Sequence, residues 1–294
     1  MSLSDRYFIV QNHLHPDGSV EQRCEQISDR RGVALLQPLL DASTRRADSC
    51  YSLCDRAQNQ RPDPGVELLI DLDAQCHASQ WLGIPLDQVR PDDSMLGVVQ
   101  GRPLGDCLRM TRENVTVLPA HPAMVGLPAM LISAPNNGIF ALKNAIDNAR
   151  ASGAGYDVAI LDLAPARGPV QVTALAAATR CIAPVQAEDL VLQSLKALAD
   201  SVDQARQINP RLRGVSVVRN RYGLRGTVDH AYDQALRDEY GPQLLRTILP
   251  IRAALRHAAG VQQSVFRYAS PDAAEVRALF VELVDELLQL DETA

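Results

Sequence analysis

The stretch ELLIDLDAQCHASQWLGI, residues 67–84, decides how the rest of the chain reads. An apolar strand runs directly into two carboxylates, Asp71 and Asp73, and a polar turn follows. Further β-rich segments lie downstream at VTVLPAH (115–121), DVAILDLA (157–164), RCIAPVQ (180–186), GVSVVRNRY (214–222) and LLRTILP (244–250). Helical text separates several of them, at 137–152, 169–179, 188–208 and 227–240. A last helix, SPDAAEVRALFVELVDELLQL (270–290), opens on Ser270 and Pro271 as N-cap and first-turn proline. Strands alternating with helices predict βαβ crossovers, hence an α/β fold with a mostly parallel, doubly wound sheet and helices on both faces. Ligands of such sheets sit beyond the carboxyl ends of the strands, which puts Asp73, residues 165–168 and residues 186–188 on one rim.

Composition narrows the function classes. At 294 residues and 46% apolar, the chain buries one substantial core, and one or two domains are expected. Aromatics are only 4% while Ala, Leu and Val dominate, which suits helices on a parallel sheet better than an all-β sandwich. A net charge of −6 excludes a polycation that coats nucleic acid, so any DNA contact must come from a local patch. No apolar run approaches the ~20 residues of a membrane span, and MSLSDRYFIV lacks signal-peptide architecture, so a cytoplasmic protein with no membrane partner is expected. The cysteines (24, 50, 54, 76, 107, 181) are scattered, and reduced thiols are the default. Cys50 and Cys54 have C-x3-C spacing with no second pair, a poor zinc pattern; a metal or redox module there is the remotest reading.

The first 65 residues differ from the rest. They are polar, rich in Arg, Ser and Asp, and weakly periodic, and RPDPG (61–65) closes them as a turn or linker. RYFIVQN (6–12) reads as a strand, and GVALLQPLLDA as a helix that Pro38 interrupts. The expected division is a divergent segment, 1–65, followed by an α/β domain, 66–294.

Five segments, in order, resemble the ParA/MinD family of deviant-Walker P-loop ATPases, and the ParA branch more than MinD. VELLIDLDAQCHASQWLGI (66–84) resembles the family's segment after its first helix, and residues 100–127 its middle segment. YDVAILDLAPARG (156–168) resembles its Walker B strand, residues 178–198 the strand and helix after that, and residues 244–283 the part that lines the base pocket. The acidic end DELLQLDETA has no MinD-type membrane helix. The resemblance implies a P-loop NTPase-like fold, ATP and magnesium as cofactors, and DNA partition or cargo positioning as function. It also implies a homodimer, a ParB-like or cargo-adaptor partner, non-specific DNA binding and nucleoid association. By position it makes Asp73 the carboxylate that orients the attacking water and supports the magnesium shell. It makes Asp162 the Walker B aspartate that holds magnesium through water, and puts Pro250 and Arg252 where the family frames adenine. The bland alternative for both aspartates is helix capping at a strand end.

Family members carry a glycine-rich loop with lysines at both ends, about two dozen residues before the Asp73 strand. Counting back from Leu68 lands on TRRADSCY (44–51), which has no glycine and no lysine. Glycines let consecutive N–H groups curl around phosphate oxygens, and the lysine neutralises charge between β- and γ-phosphates. The only lysines are Lys143 and Lys196, both in helical text, and Arg45 and Arg46 are no geometric substitute. Impaired or absent ATP binding and hydrolysis is therefore expected. The alternatives are a dimeric, nucleotide-independent regulatory pseudo-ATPase, a rebuilt loop that binds nucleotide weakly, and a gene rearranged or frameshifted at its 5' end.

Residues 204–228 hold arginines at 206, 211, 213, 219, 221 and 225 and no acid. Fixed surface cations suffice for phosphate contact, so Arg219, Arg221 and Arg225 are the leading DNA-binding candidates, with Arg252 and Arg256 as neighbours. The alternative is a solvated arginine face. His230 and His257 read as surface or capping residues; His77, just after the Asp73 strand, is near enough to approach a nucleotide but is not taken as a site residue.

Overall fold

The computed structural model describes residues 6–11, 67–111, 115–153, 156, 158–164, 166–186, 191–222, 227–261 and 263–292. Its strands are β1 (Arg6–Gln11), β2 (Glu67–Asp71), β3 (Arg109–Met110), β4 (Thr116–Leu118), β5 (Val158–Leu163), β6 (Arg180–Val185), β7 (Val215–Asn220) and β8 (Leu244–Leu249). They form an 8-stranded sheet in the order β3-β4-β2-β5-β1-β6-β7-β8. Every pairing is parallel except the two-residue β3 against β4. This is the α/β class expected from the sequence. Each apolar segment quoted above supplies a strand, and RYFIVQN supplies β1. That strand enters the middle of the sheet, with Phe8 in register with Ile160 on one side and Arg180 on the other. The N-terminal segment thus lends the sheet a central strand; residues 12–66, with Cys50 and Cys54, lie outside the described residues.

The helices are α1 (His77–Trp81), α2 (Met95–Val99), α3 (Leu104–Cys107), α4 (Leu127–Ser133) and α5 (Ala141–Ala151) in the first half. The second half has α6 (Pro169–Ala177), α7 (Val191–Ala205), α8 (Thr227–Tyr240), α9 (Ala253–Gly260) and α10 (Pro271–Glu292). Neighbouring residues of a strand point to opposite faces, and two cores result. Leu68, Ile70, Ala159, Leu161 and Val217 face Leu131, Leu142, Ile146, Leu175 and Leu195 on one side. Leu69, Ile160, Ile182 and Val218 face Val276, Phe280, Leu283 and Leu287 of α10 on the other. Both faces being covered, β5, β6 and β7 are buried at every position, which is why their text reads as unbroken apolar runs. Each wholly buried Leu, Ile or Phe contributes about 1.5–3 kcal/mol relative to exposure.

The 22-residue α10 starts at Pro271, as the Ser270-Pro271 pair predicts. Ala273, Val276, Phe280, Leu283, Val284 and Leu287 follow helical spacing and are all buried. From the same helix Glu286 reaches the edge strand β8, accepting from Arg246 N (2.6 Å), Thr247 N (3.0 Å) and Thr247 Oγ1 (2.8 Å). Outward N–H groups of an edge strand that would pair with another chain are thereby occupied. Gly97 is needed where α2 meets the Pro91–Asp93 turn, since a Cβ there would lie 2.0 Å from the Asp92 carbonyl oxygen.

Candidate functional site

Asp71 is the last residue of β2, Asp162 the fifth of β5, and the two are in register across the β2–β5 pairing. Leu72 N donates to Asp162 O (2.9 Å), so the strands stay together one residue beyond β2. Both carboxylates are buried, Asp71 at 0% and Asp162 at 4% exposure. Asp73 stands two residues further, half-buried in a tight turn closed by Cys76 N donating to Asp73 O (2.9 Å). Its Oδ1 accepts from Gln75 N (2.9 Å), and Cys76 takes a left-handed φ of 59° to lead into α1. Two parallel strands with aspartates side by side at or one residue before their carboxyl ends place acidic groups together at the rim.

The two buried carboxylates have different surroundings. Asp71 Oδ2 accepts from Ser79 Oγ (2.6 Å) and Ser79 N (2.9 Å), and its Oδ1 from Asp73 N (3.2 Å). Burial nevertheless pushes the Asp71 carboxyl up to about 6, the Ser79 bonds opposing and the Asp73 charge adding to the rise. Asp162 is pushed well above the ordinary range, first by burial and then by the charges of Asp71 and Asp73. Its Oδ1 is buried with no hydrogen-bond partner among the described residues. The same burial and the same charges push the Cys76 thiol up to about 12, so it is inert as a nucleophile.

An unpartnered buried carboxylate oxygen beside two further carboxylates suits a divalent cation. Magnesium takes few protein oxygens and keeps water and phosphate in its shell. Among the described residues, no group of three or more His, Cys, Asp or Glu is placed to hold a metal by itself. The fit to magnesium rests on the orphaned Asp162 Oδ1, with Asp71 and Asp73 close enough to act on its charge.

The remaining site residues fall as follows. Pro250 directly follows β8, and its neighbour Leu249 is in register with Asn220, the buried last residue of β7. Asn220, unassigned from the sequence, thus joins Pro250 on the carboxyl rim, about 14 Å from Asp162 by strand counting from β5 to β7, with Pro250 about 19 Å away after β8. The Arg252 guanidinium is engaged by Glu275 of α10, with Nε donating to Oε2 at 3.2 Å. Asp71 was visible as a carboxylate at the strand end, but only its register with Asp162 gives it a place in the site. His77 is half-buried, with Nδ1 lacking a hydrogen-bond partner among the described residues; His230 and His257 are exposed.

The structure corrects the arginine stripe. Arg219 is 2% exposed and donates to Asp233 (2.7 Å) and to the carbonyls of Leu245 (2.7 Å) and Arg246 (3.0 Å). It is a neutralised tie between β7, β8 and α8, so it cannot reach a phosphate. Arg213 precedes β7 and Arg221 follows it, so the stripe divides between opposite ends of a strand about 20 Å long. Arg206 and Arg211 are exposed at the amino end, Arg221 is half-buried at the carboxyl end, and Arg225 lies outside the described residues.

A phosphate loop follows a strand directly. β1 is the neighbour of Asp162's strand and ends at Gln11, so the chain leaving its carboxyl end begins at Asn12 rather than at 44–51. Both stretches lie outside the described residues, and neither contains lysine. Lys143 is on α5, its ammonium bonded to Asp147, and Lys196 is on α7.

Comparison with known proteins adds three kinds of likeness. A family profile described as an AAA domain matches residues 65–213, beginning where the text changes character. The chromosome-partitioning ATPase Soj of Thermus thermophilus is 31% identical over 220 residues, 74% of this chain and 82% of Soj. Apo McdA of Cyanothece superposes with a TM-score of 0.69 at 16% identity, covering 96% of this chain and 99% of McdA. Cobyrinic acid a,c-diamide synthase of Mycobacterium smegmatis, with bound ATP analogue and magnesium, gives 0.65 at 23%, covering 97% and 94%. The two structural likenesses carry the fold.

Proposed function

The chain belongs to the ParA/MinD family of P-loop ATPases, and from that premise we propose a ParA-like protein that positions DNA or another cargo, with ATP binding weakened and hydrolysis strongly reduced. The observation that carries this reading is a buried, unpartnered Asp162 oxygen beside Asp71 and Asp73 in a chain with no lysine before Lys143. Bound magnesium supplies charge neutralisation for the β- and γ-phosphates. Asp162 would hold it, directly or through water, with the oxygen that has no hydrogen bond among the described residues. Asp73, half-buried in its turn, would orient the attacking water, and Asn220 and Pro250 would frame the base. Arg252, engaged by Glu275, would shape that end of the pocket through its position more than its charge.

Without a lysine at the phosphates, transition-state charge loses stabilisation of several kcal/mol, a rate loss of at least ~10²-fold. Magnesium-dependent ATPase assays beside the Soj relative test this: turnover at least ~10²-fold below Soj is expected. Robust turnover that Asp162→Ala abolishes would refute the proposal. A homodimer, a ParB-like or cargo-adaptor partner and nucleoid association follow from the same premise. Non-specific DNA contact falls to Arg221 and Arg225, with exposed Arg256 a further candidate.

The missing lysine also favours a second reading, a dimeric regulatory protein that no longer uses nucleotide. Titration of a fluorescent ATP analogue separates the two: magnesium-dependent binding supports the first, and dimerisation without binding supports the second.

A further inference from the structure

Ser79 lies on α1, wholly buried, and joins three elements through one side chain. Its Oγ donates to Asp71 Oδ2 at 2.6 Å and accepts from Ala120 N, just past β4, at 3.0 Å. Its backbone N–H donates to the same Oδ2 at 2.9 Å. A hydroxyl has one proton to give. With the Ala120 N–H on a lone pair, that proton is committed to Asp71, and the hydroxyl has no freedom to turn elsewhere. Asp73 N on Oδ1 completes three donors for Asp71, out of roughly four acceptor positions on a carboxylate. Asp71 is therefore clamped as an anion beside Asp162, whose own Oδ1 has no hydrogen-bond partner among the described residues.

We propose that Ser79 is a positioning residue for the cation site: it fixes the Asp71 carboxylate so that Asp162 meets the divalent ion against a stationary negative neighbour. This rests on reading Asp71, Asp73 and Asp162 as the cation side of a nucleotide site. Residues that orient metal-site carboxylates commonly change metal affinity by about 10–100-fold when removed. Ser79→Ala deletes the hydroxyl donor to Asp71, leaving only the backbone N–H of residue 79, and orphans the buried Ala120 N–H, whereas Ser79→Thr keeps the hydroxyl.

The test titrates Mn2+ into the full chain without nucleotide, whose phosphates would themselves take up the ion, reading free Mn2+ by electron paramagnetic resonance. AMPPNP affinity and melting temperature are measured in parallel in EDTA. The expected result is a Mn2+ affinity at least ~10-fold weaker in Ser79→Ala and within about threefold of wild type in Ser79→Thr. AMPPNP affinity in EDTA should be unchanged in both. Mn2+ binding by Ser79→Ala equal to wild type overturns the role of Ser79 and leaves the site reading intact. So does a loss shared by Ser79→Thr, or one matched by an equal loss of AMPPNP affinity in EDTA. No saturable Mn2+ uptake by wild type sinks the site reading itself, and this inference with it.

Discussion

Asp93 and Asp162 are both shut away from solvent, at 1% and 4% exposure, yet their surroundings are opposite. Three guanidiniums close on Asp93: Arg90 at 3.0 Å, Arg102 at 2.9 Å and Arg109 at 2.7 Å. The Arg90 hydrogen bonds, with the Arg109 charge behind them, hold its carboxyl down at about 2 against the burial that would raise it. Asp162 has carboxylates for neighbours, and burial with their charges drives it up. Asp233 resembles Asp93, lying between Arg219 (2.7 Å) and Arg237 (2.8 Å). Burial by itself therefore does not mark a functional acid. A buried aspartate that brings its own cations is a finished structural joint, whereas one surrounded by like charge is completed only by something that binds.

The contrast can be broken most forcefully at the joints. Asp93→Asn leaves three arginines converging on a neutral amide, and a loss of about 3–5 kcal/mol is expected by urea denaturation, towards the lower figure because the arginines are partly exposed. A loss below about 1 kcal/mol would reduce the Asp93 cluster to a surface decoration.

Next in size is a dependence on pH. The folded chain binds the Asp71 proton more tightly than the unfolded chain does, so this group's contribution to stability is greatest below about 4. It falls as pH rises through about 6, by about 3 kcal/mol in all. Asp93 behaves oppositely: its contribution is complete above the usual 3.8 and lost as pH falls through about 2. Between pH 4 and 6 Asp71 and Asp162 both make stability fall as pH rises, and Asp71→Asn should make that slope shallower by removing one group and relieving the other. An unchanged slope in that variant would assign the titration elsewhere.

The smallest effect concerns DNA. Arg221→Glu and Arg225→Glu should each lower the salt-dependence slope of DNA binding by roughly one phosphate equivalent while leaving the fold intact. Arg219→Ala should instead destabilise the protein by leaving Asp233 with Arg237 alone and removing the donors to the Leu245 and Arg246 carbonyls. DNA binding untouched by the double Arg221/Arg225 change would eliminate this end of β7 as the contact.

Much of the architecture was legible because periodicity and chain order carry it. Unbroken apolar runs such as VAILDL and CIAPV are long enough to identify strands covered on both faces, and the spacing from Val276 to Leu287 identifies α10. Short elements escaped: α1, α2 and α3 have only four or five residues each, too few for a repeating pattern, and β3 has two. The arginine stripe misled because adjacency in sequence is not adjacency in space. A β-strand carries its ends to opposite sides of the sheet and turns alternate side chains into alternate cores, so a run of six arginines was never one face.

From its sequence alone this chain was already an α/β protein of ParA type, because strand order, helix spacing and the placing of Asp73 and Asp162 are one-dimensional properties. So was the lack of lysine before residue 143, which no folding can supply. Only the tertiary structure could decide which buried charges are neutralised or hydrogen-bonded. Arg219 meets Asp233 and Asp93 meets three arginines; Asp71 has hydrogen bonds from Ser79 but no cation, and Asp162 is left with other carboxylates. These outcomes depend on register and crossing of elements far apart in the chain, and Coulomb and hydrogen-bond energies depend on those distances rather than on position along the sequence.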